Sequence, residues 1–252
     1  MKPLLRWLGL LVVAVLALQL FFVARIAAMT VINPQSTAFQ RSEAWRVLVD
    51  KGRLPWRQQW IPYAQISDNL KRAVIASEDD GFSNHDGVDW DALEKAWQKN
   101  AKAEAQAAKS QAAKKPVTST QNAAPTIRPP KVVGGSTITQ QLAKNLFLSG
   151  ERTLLRKGQE FVLTLLLEAL LSKERILEIY LNSVEWGEGI FGAEAAAQHY
   201  FRKPAARLSP YEAARLAVML PRPRYFETRP NSDYLATRAN AIVARMGSVD
   251  LP

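Results

Sequence analysis

The sequence predicts a mainly α-helical protein with one membrane helix at its N-terminus. Residues 7–24 contain no charged side chain, so this run is about as long as the shortest helices that span a bilayer. Most of the remaining sequence repeats apolar residues at helical spacing, and the alternation typical of strands is scarce. With 252 residues, of which 48% are hydrophobic, the chain is long enough for one well-buried domain and an appendage.

The apolar run is predicted to be a membrane anchor over residues 7–27, preceded by a cytoplasmic N-terminus over residues 1–6. A cleaved signal peptide is the alternative. The run is longer than a usual signal core, however, and Arg25 interrupts the place where a small-residue cleavage site would lie. Because Lys2 and Arg6 precede the run, the positive-inside rule places the rest of the chain in the periplasm or outside the cell.

The net charge of the chain is +10, which indicates an anionic partner. Nucleic acid, anionic lipid headgroups and a phosphorylated ligand all carry suitable charge. The predicted anchor favours lipid, so we expect a membrane as partner and no nucleic acid. The chain has no cysteine, which is compatible with both an oxidising and a reducing compartment.

The body of the protein is predicted to extend over residues 38–252. Apolar residues at helical spacing predict helices over 38–49 and 66–76, with prolines between them that break the chain. A group of aromatic residues lies close to the anchor in sequence, and it fits ordinary core packing and an interfacial aromatic belt equally well. Its members are Trp45, Trp56, Trp60 and Tyr63.

The second half of the body is also predicted to be helical. Residues 136–198 show helical spacing throughout, with a central buried helix over 161–171. The four residues 209–212, Ser-Pro-Tyr-Glu, predict a capping box with proline at the first helical position. A further helix is therefore expected to run from there through Leu220.

Residues 100–131 differ in composition from the rest of the body. Alanine, lysine and glutamine give way to proline, threonine and serine, with almost no large apolar side chain to bury. The first part, 101–115, can form an exposed helix, which the prolines that follow would stop. We interpret the segment as a low-complexity insertion and assign it no chemistry.

Two short segments carry most of the information about function. The first is Glu78-Asp79-x-x-Phe82-x-x-His85-x-Gly87, an acidic pair that follows the apolar end of a predicted helix. A carboxylate there can lie at a cleft wall, partly removed from water, with its pKa raised toward the range of a general base. An acidic pair alone is more often a solvated helix end, and a lone histidine is more often structural.

The second segment joins a Gly-Gly-Ser sequence at residues 134–136 to a predicted helix. Free backbone N–H groups at the start of such a helix bind anions. Thr137, Gln141 and Lys144 recur at i, i+4 and i+7, which places a hydroxyl, an amide and an ammonium group on one face. Asn145 follows directly. The two segments together suggest sugar chemistry on a phosphorylated substrate.

A third cluster consists of Arg156, Lys157 and Glu160, directly before the apolar run of residues 161–171. An ion pair at i, i+4, worth about 0.2–0.5 kcal/mol on an exposed helix, is one explanation. The other is that a glutamate beside two cations steadies a phosphate leaving group, or a metal bound to it. These residues alone leave both explanations open.

Together these segments resemble the signature motifs of the peptidoglycan glycosyltransferases of family 51, which polymerise lipid II into glycan strands. The similarity extends from about Val74 to Pro223 and includes five motifs in the family's order. The last two are Lys173-x-x-Ile176-Leu177-Glu178-x-Tyr180-Leu181-Asn182 and Arg215-Leu216-Ala217-Val218-Met219-Leu220-Pro221-x-Pro223. The resemblance implies a lysozyme-like glycosyltransferase domain with a head and a membrane-facing jaw, in which Tyr180 and Asn182 brace the cleft.

The resemblance also implies a role for each motif residue. Glu78 would be the general base that deprotonates the 4-hydroxyl of the acceptor sugar, with Asp79 beside it in the catalytic group. Phe82 and His85 would shape the surroundings of this base. Glu160 would be the second essential acid. The pyrophosphate of the donor would be held by Thr137, Gln141, Lys144, Asn145, Arg156 and Lys157.

The implied reaction is an inverting transfer of the growing lipid-linked glycan chain to the 4-hydroxyl of lipid II, with release of undecaprenyl pyrophosphate. A divalent cation, Mg²⁺ or Mn²⁺, is expected as cofactor, with Glu160 as a ligand beside the substrate pyrophosphate. The expected partners are lipid II, the lipid-linked glycan chain, the membrane, and division or elongation penicillin-binding proteins. The expected location is the bacterial inner membrane, with a single span and a periplasmic catalytic domain.

Many relatives carry a transpeptidase domain, but the Ser-x-x-Lys and Lys-Thr-Gly motifs of that domain are missing here. The chain therefore resembles the monofunctional, biosynthetic branch.

Two other functions are alternatives to polymerisation. A lysozyme-like muramidase or lytic transglycosylase would also use a cleft carboxylate; cleaving a finished glycan, however, requires no cluster of cations. An inactive membrane scaffold is the second alternative, and the presence of every expected catalytic residue argues against it.

Overall fold

The computed structural model describes residues 2–112, 135–148, 150 and 153–252. The chain divides into two compact units, one formed by Met1–Val88 with Thr137–Pro252 and the other by Asp89–Ser136. The helices are α1 Lys2–Ala28, α2 Ala38–Lys51, α3 Asp68–Glu78, α4 Trp90–Ala112, α5 Ile138–Phe147, α6 Leu154–Leu170, α7 Lys173–Ser183, α8 Ala193–Phe201, α9 Pro210–Met219, α10 Pro223–Glu227 and α11 Asp233–Met246. The strands are β1 Arg57–Gln58, β2 Glu185–Gly187 and β3 Ile190–Phe191.

The core of the larger unit is helical, as the sequence predicts. Helices α3, α9 and α11 pack against one another, and α5 packs against α2, α6 and α7. Apolar side chains at helical spacing line these helix contacts. Among them are Leu70, Val74, Leu142 and Leu216, which are fully buried. The predicted capping box at Ser209 and Glu212 is present, and α9 begins at Pro210. Burial of these stripes is what holds α3 and α5 in place.

A small sheet interrupts the region that was expected to be helical throughout. The strand order is β1-β3-β2, with β1 parallel and β2 antiparallel to β3. The turn between β2 and β3 requires Gly189, whose φ is +73° and where a Cβ atom would lie 1.8 Å from the Pro55 carbonyl oxygen. The expectation over residues 136–198 is therefore wrong for this stretch, because strands of two or three residues are too short to show alternation.

The expectation of a central buried helix over residues 161–171 is also wrong in part. Only one face of α6 is buried, at Glu160, Leu163, Thr164 and Leu167. The opposite face exposes apolar side chains. These are Leu154, Leu155, Phe161, Val162 and Leu165. An apolar run predicts an apolar environment, but the described part of the protein does not cover these side chains.

Helix α1 contains the predicted anchor. Its segment Pro3–Ala28 is long and apolar enough to cross a membrane, with a mean hydropathy of 2.5. The C-terminal half of α1 packs beside α6. Gln19 donates a hydrogen bond to Gln159 at 3.0 Å, and the ring of Phe22 meets that of Phe147 edge-on at 5.4 Å. The exposed apolar face of α6 thus belongs to a helix that packs against the predicted membrane anchor.

The aromatic residues that follow the anchor mostly pack against the protein. Trp56 stacks on Phe191 with ring centroids 4.5 Å apart, and the indole N–H of Trp60 donates to Glu178 at 3.2 Å. Tyr63 packs against the core. Trp45 alone among the four is largely exposed, at 70%. Core packing is the correct interpretation for three of them, since their partners come from α7 and β3 or the surrounding core.

The smaller unit contains α4, which begins at Trp90 and continues to Ala112. Asp89 starts the helix by accepting a hydrogen bond from the Ala92 backbone N–H at 2.8 Å. The helix covers the first part of the predicted insertion at 100–131, where the alanine-rich sequence favours it. The rest of the insertion, from residue 113 onward, lies outside the described residues.

Candidate functional site

Glu78 ends α3 at the position where the sequence predicts a partly desolvated carboxylate. Its Oε2 atom accepts a hydrogen bond from the Gln141 side chain at 3.0 Å. Burial raises the pKa of Glu78, and the neighbouring charge of Asp79 raises it further. Hydrogen bonds from Gln141 and Ser77 and the charge of Lys144 act in the opposite direction. The net pKa is raised, as a general base that works near neutral pH requires.

Gln141 is itself held in place from α7. The Tyr180 hydroxyl donates to Gln141 Oε1 at 2.9 Å, so the amide must point its nitrogen at Glu78. Tyr180 is 1% exposed, and burial, followed by the charges of Glu78 and Asp79, raises the pKa of its phenol well above the usual value. Tyr180 therefore stays a hydrogen-bond donor, which agrees with the bracing role expected for it.

Asp79 is buried, and its carboxylate is held by His85 and by the start of α5. Its Oδ1 atom lies 2.8 Å from His85 Nε2, and its Oδ2 atom accepts the backbone N–H of Ile138 at 2.9 Å. His85 Nδ1 accepts the Gly87 N–H at 3.1 Å, so the imidazole proton is on Nε2 and is donated to Asp79. Phe82 is fully buried and meets the His85 ring edge-on at 6.5 Å.

These contacts correct the expectation of an anion site at the start of α5. Thr137 is the N-cap of this helix, and its hydroxyl accepts the Gln140 N–H at 3.2 Å while donating to the Gly87 carbonyl at 2.6 Å. Asp79 takes the N–H of Ile138, the first residue of the helix. The negative charge at the start of α5 is therefore the carboxylate of Asp79, and the Thr137 hydroxyl forms its hydrogen bonds within the protein.

A further carboxylate, mostly buried, lies on α6, and it was not predicted from the sequence. Glu168 on α6 accepts hydrogen bonds from the Thr139 hydroxyl and from the Lys173 ammonium. Lys173 also donates to the His85 carbonyl and lies 4.6 Å above the centroid of the Phe82 ring. A charged residue inside an apolar run needs a partner. The position of Glu168 within the apolar run of α6 was therefore a signal in the sequence that this carboxylate is paired.

The third cluster forms an ion triplet on α6. Glu160 is 4% exposed, its Oε2 atom lies 3.2 Å from Arg156 Nη1, and its Oε1 atom contacts the Lys157 ammonium. The Nε atom of Arg156 is buried and has no hydrogen-bond partner within the described residues. Because buried donors are nearly always satisfied, this N–H is suited to a ligand.

Lys144 and Asn145 lie on α5, one turn beyond Gln141. The Lys144 side chain is exposed and Asn145 is half-buried. The positive charge of Lys144 acts on Glu78 and lowers the pKa of its carboxyl group. Helix α5 packs against α6, the helix that carries Arg156 and Lys157.

The residues around Glu160 do not form a metal site by themselves. Both carboxylate oxygens are paired with cationic side chains, and the described part of the chain contains no group of three or more His, Asp or Glu residues placed to hold a metal. Mg²⁺ takes most of its ligands from carboxylates, substrate phosphates and water. The expected divalent cation would therefore depend on oxygens of the substrate, and it stays a prediction.

The raised pKa of Glu78 predicts how the stability of the protein depends on pH. A carboxyl whose pKa is higher in the folded state stabilises the fold below its unfolded pKa and loses this contribution as the pH rises through the folded pKa. Glu78→Gln is therefore expected to raise the melting temperature more at about pH 7.5 than at about pH 4. Thermal unfolding of the detergent-solubilised chain measures this. An equal effect at both pH values would contradict it.

Loss of the Tyr180 hydroxyl is expected to release Gln141. In Tyr180→Phe one neutral hydrogen bond disappears, so the catalytic rate should fall by about fivefold. Because an oriented Gln141 lowers the pKa of Glu78, the acidic limb of the pH–rate profile should also move to higher pH. A merely structural role would reduce the rate without moving this limb. Tyr225→Phe, at an exposed phenol, is the matched control.

The sequence is similar to one protein family and to several individual proteins. The sequence model of the transglycosylase family matches residues 48–115 and 115–247. A biosynthetic peptidoglycan transglycosylase of Burkholderia thailandensis is 53% identical over 251 residues, which covers 98% of this chain and 88% of the relative. A protein of the same name from Herminiimonas arsenicoxydans is 51% identical over 255 residues, covering 100% and 99%. That of Burkholderia pseudomallei is 50% identical over 251 residues, covering 98% and 88%.

Proposed function

The chain belongs to the transglycosylase family, and on that premise we propose that it is a peptidoglycan glycan-strand polymerase that acts on lipid II. The observation that carries the proposal is the carboxylate of Glu78, half-buried at the end of α3 and held by Gln141 with a raised pKa. The domain of this family is lysozyme-like, and a raised carboxyl pKa in a cleft suits proton transfer at a sugar hydroxyl.

In the proposed reaction Glu78 accepts the proton of the 4-hydroxyl of lipid II. The hydroxyl oxygen forms a bond to the anomeric carbon of the growing chain, and the bond between that carbon and the diphosphate breaks with inversion. The electron pair leaves with undecaprenyl pyrophosphate. In this proposal Lys144, Arg156 and Lys157 supply the positive charge that offsets the charge growing on this leaving group.

The remaining site residues receive supporting roles in this proposal. Asp79 and His85 hold each other and fix the start of α5, so they position Gln141 rather than contact the sugar. Glu160 holds Arg156 and Lys157 together so that both can face one diphosphate. The unpartnered Nε of Arg156 supports this assignment because a phosphate oxygen would satisfy it. No step is assigned to a divalent cation.

We also propose that α1 anchors the chain in the bacterial inner membrane with its catalytic domain in the periplasm. The charges Lys2 and Arg6 before the apolar run support this orientation. The exposed apolar face of α6 suits the hydrocarbon region, which would bring Arg156 and Lys157 to the depth where the diphosphate of a lipid-linked substrate lies. Division or elongation penicillin-binding proteins are proposed as partners.

The test is polymerisation of lipid II by the detergent-solubilised protein. Glycan strands, resolved by gel electrophoresis, are the expected product. Release of fragments from purified sacculi without consumption of lipid II would instead identify a muramidase or lytic transglycosylase. A folded protein that does neither would be a scaffold. Running each assay with and without Mg²⁺ or Mn²⁺ also tests the expected cofactor.

A further inference from the structure

A pocket of about 290 Å³ lies at the C-terminal end of α1, where the helix turns into the segment that leads to α2. Its lining combines two arginines, Arg25 and Arg41, with the apolar side chains of Met29 and Ile32 and the polar side chain of Ser36. None of these residues belongs to the site around Glu78 and Glu160.

The two arginines of this pocket lack acidic partners. In the part of the chain that the structure describes, neither Arg25 nor Arg41 has a carboxylate within salt-bridge distance. Arg41 donates to the carbonyl and the hydroxyl of Ser36 at 3.2 and 3.1 Å, and Arg25 lies over the Phe147 ring at 5.1 Å. Both guanidinium groups border the same pocket. Two neighbouring guanidinium groups with no carboxylate between them favour an anion in the pocket.

The position of the pocket along α1 indicates where this anion comes from. The uncharged residues 7–24 form a helix about 27 Å long at about 1.5 Å per residue, close to the roughly 30 Å of hydrocarbon in a bilayer. Arg25 is the first charge after this run. When the run spans the hydrocarbon, the pocket lies in the headgroup layer, where the anions are phospholipid phosphates.

The segment that forms the floor of the pocket is held rigidly against α7. Arg175 donates to the carbonyl oxygens of Met29 and Ile32 at 2.8 and 3.2 Å and to Asn33 Oδ1 at 2.7 Å. Glu178 fixes the other side of this guanidinium at 2.9 Å. The pocket is therefore formed before any ligand arrives, which lowers the entropic cost of binding.

From these observations we propose that the pocket binds the phosphate of an anionic phospholipid. The guanidinium groups of Arg25 and Arg41 contact the phosphate oxygens, and the walls at Met29 and Ile32 contact the glycerol and the start of the acyl chain. A lipid bound there fixes the depth and tilt of the body on the membrane. The inference rests on the proposed anchoring by α1 and not on polymerase activity, since binding is measured without lipid II.

Native mass spectrometry of the full chain in a neutral detergent measures the binding. Phosphatidylglycerol should be retained, and phosphatidylcholine should not. Each arginine near an anionic headgroup contributes a factor of about five, so Arg25→Gln with Arg41→Gln should weaken phosphatidylglycerol binding roughly 30-fold. Arg41→Gln alone, at an exposed side chain, should weaken it about fivefold and keeps the test valid if the double variant does not fold.

The matched control is Arg53→Gln with Arg238→Gln, which removes two positive charges at exposed positions elsewhere and should leave binding unchanged. Equal retention of phosphatidylglycerol by wild type and by Arg41→Gln would overturn the proposal. An equal loss in the control pair would also overturn it, because net charge would then explain the binding. Displacement of the lipid by millimolar inorganic phosphate would identify a soluble phosphate as the ligand instead.

Discussion

Replacing Glu78 by glutamine is expected to lower the rate of glycan-strand formation by about 10³-fold while the protein still binds lipid II. Glutamine fills the same space and can keep the hydrogen bond from Gln141, so the geometry of the site should persist. The amide cannot accept the proton of the 4-hydroxyl, however. The loss should therefore appear in kcat and not in KM.

The measurement is the initial rate of lipid II consumption over a range of concentrations, together with direct binding of lipid II to the variant. Glu174→Gln is the matched control, since it makes the same change at an exposed carboxylate in the first turn of α7. A Glu78→Gln enzyme within tenfold of wild type would show that another group is the base. Asp79, the adjacent carboxylate, would be the first candidate to examine.

The expected gain in stability at neutral pH makes this result easier to interpret. A variant that is inactive yet melts at a higher temperature than wild type cannot owe its inactivity to unfolding. Burial of Glu78 destabilises its charged form, so the function of this residue opposes the stability of the fold. The two measurements on one variant thus separate a lost base from a lost structure.

The features of the fold that were predicted correctly are those that depend on neighbours in sequence. The long apolar helix α1 follows from an uncharged run, and the start of α9 follows from the residue types at Ser209, Pro210 and Glu212. The position of Glu78 at the end of an apolar helix was likewise visible. Each of these signals lies within a few residues along the chain, which is the range over which propensity and capping act.

The features that were missed depend on contacts between distant segments. Asp79 bonds to Ile138, 59 residues away, and no local pattern reveals that the start of α5 is already neutralised. The hydrogen bonds of Glu168 to Thr139 and Lys173 involve two helices. The exposed face of α6 was missed for another reason, because hydrophobic periodicity does not distinguish a side chain in the protein core from an apolar side chain on the surface.

Replacing Glu160 by glutamine is expected to lower kcat/KM for lipid II by about 10²-fold and the free energy of unfolding by about 2 kcal/mol. The carboxylate is buried, and it pairs with both Arg156 and Lys157. An amide leaves two cations without a counter-charge, one of them mostly buried. Their repulsion should separate them, so that they no longer face one diphosphate. Asp50→Asn, which removes an exposed partner of Arg46, should change neither quantity.

The dependence of this variant on divalent cations decides how Glu160 acts. If Glu160 only holds the two cationic side chains together, wild type and Glu160→Gln should need the same concentration of Mg²⁺ for half-maximal rate, although the variant is slower. If Glu160 is a metal ligand, the variant should need a higher concentration, because a neutral amide is a weaker ligand than a carboxylate. The pairing of both oxygens with Arg156 and Lys157 favours the first result, in which the diphosphate meets side-chain cations directly.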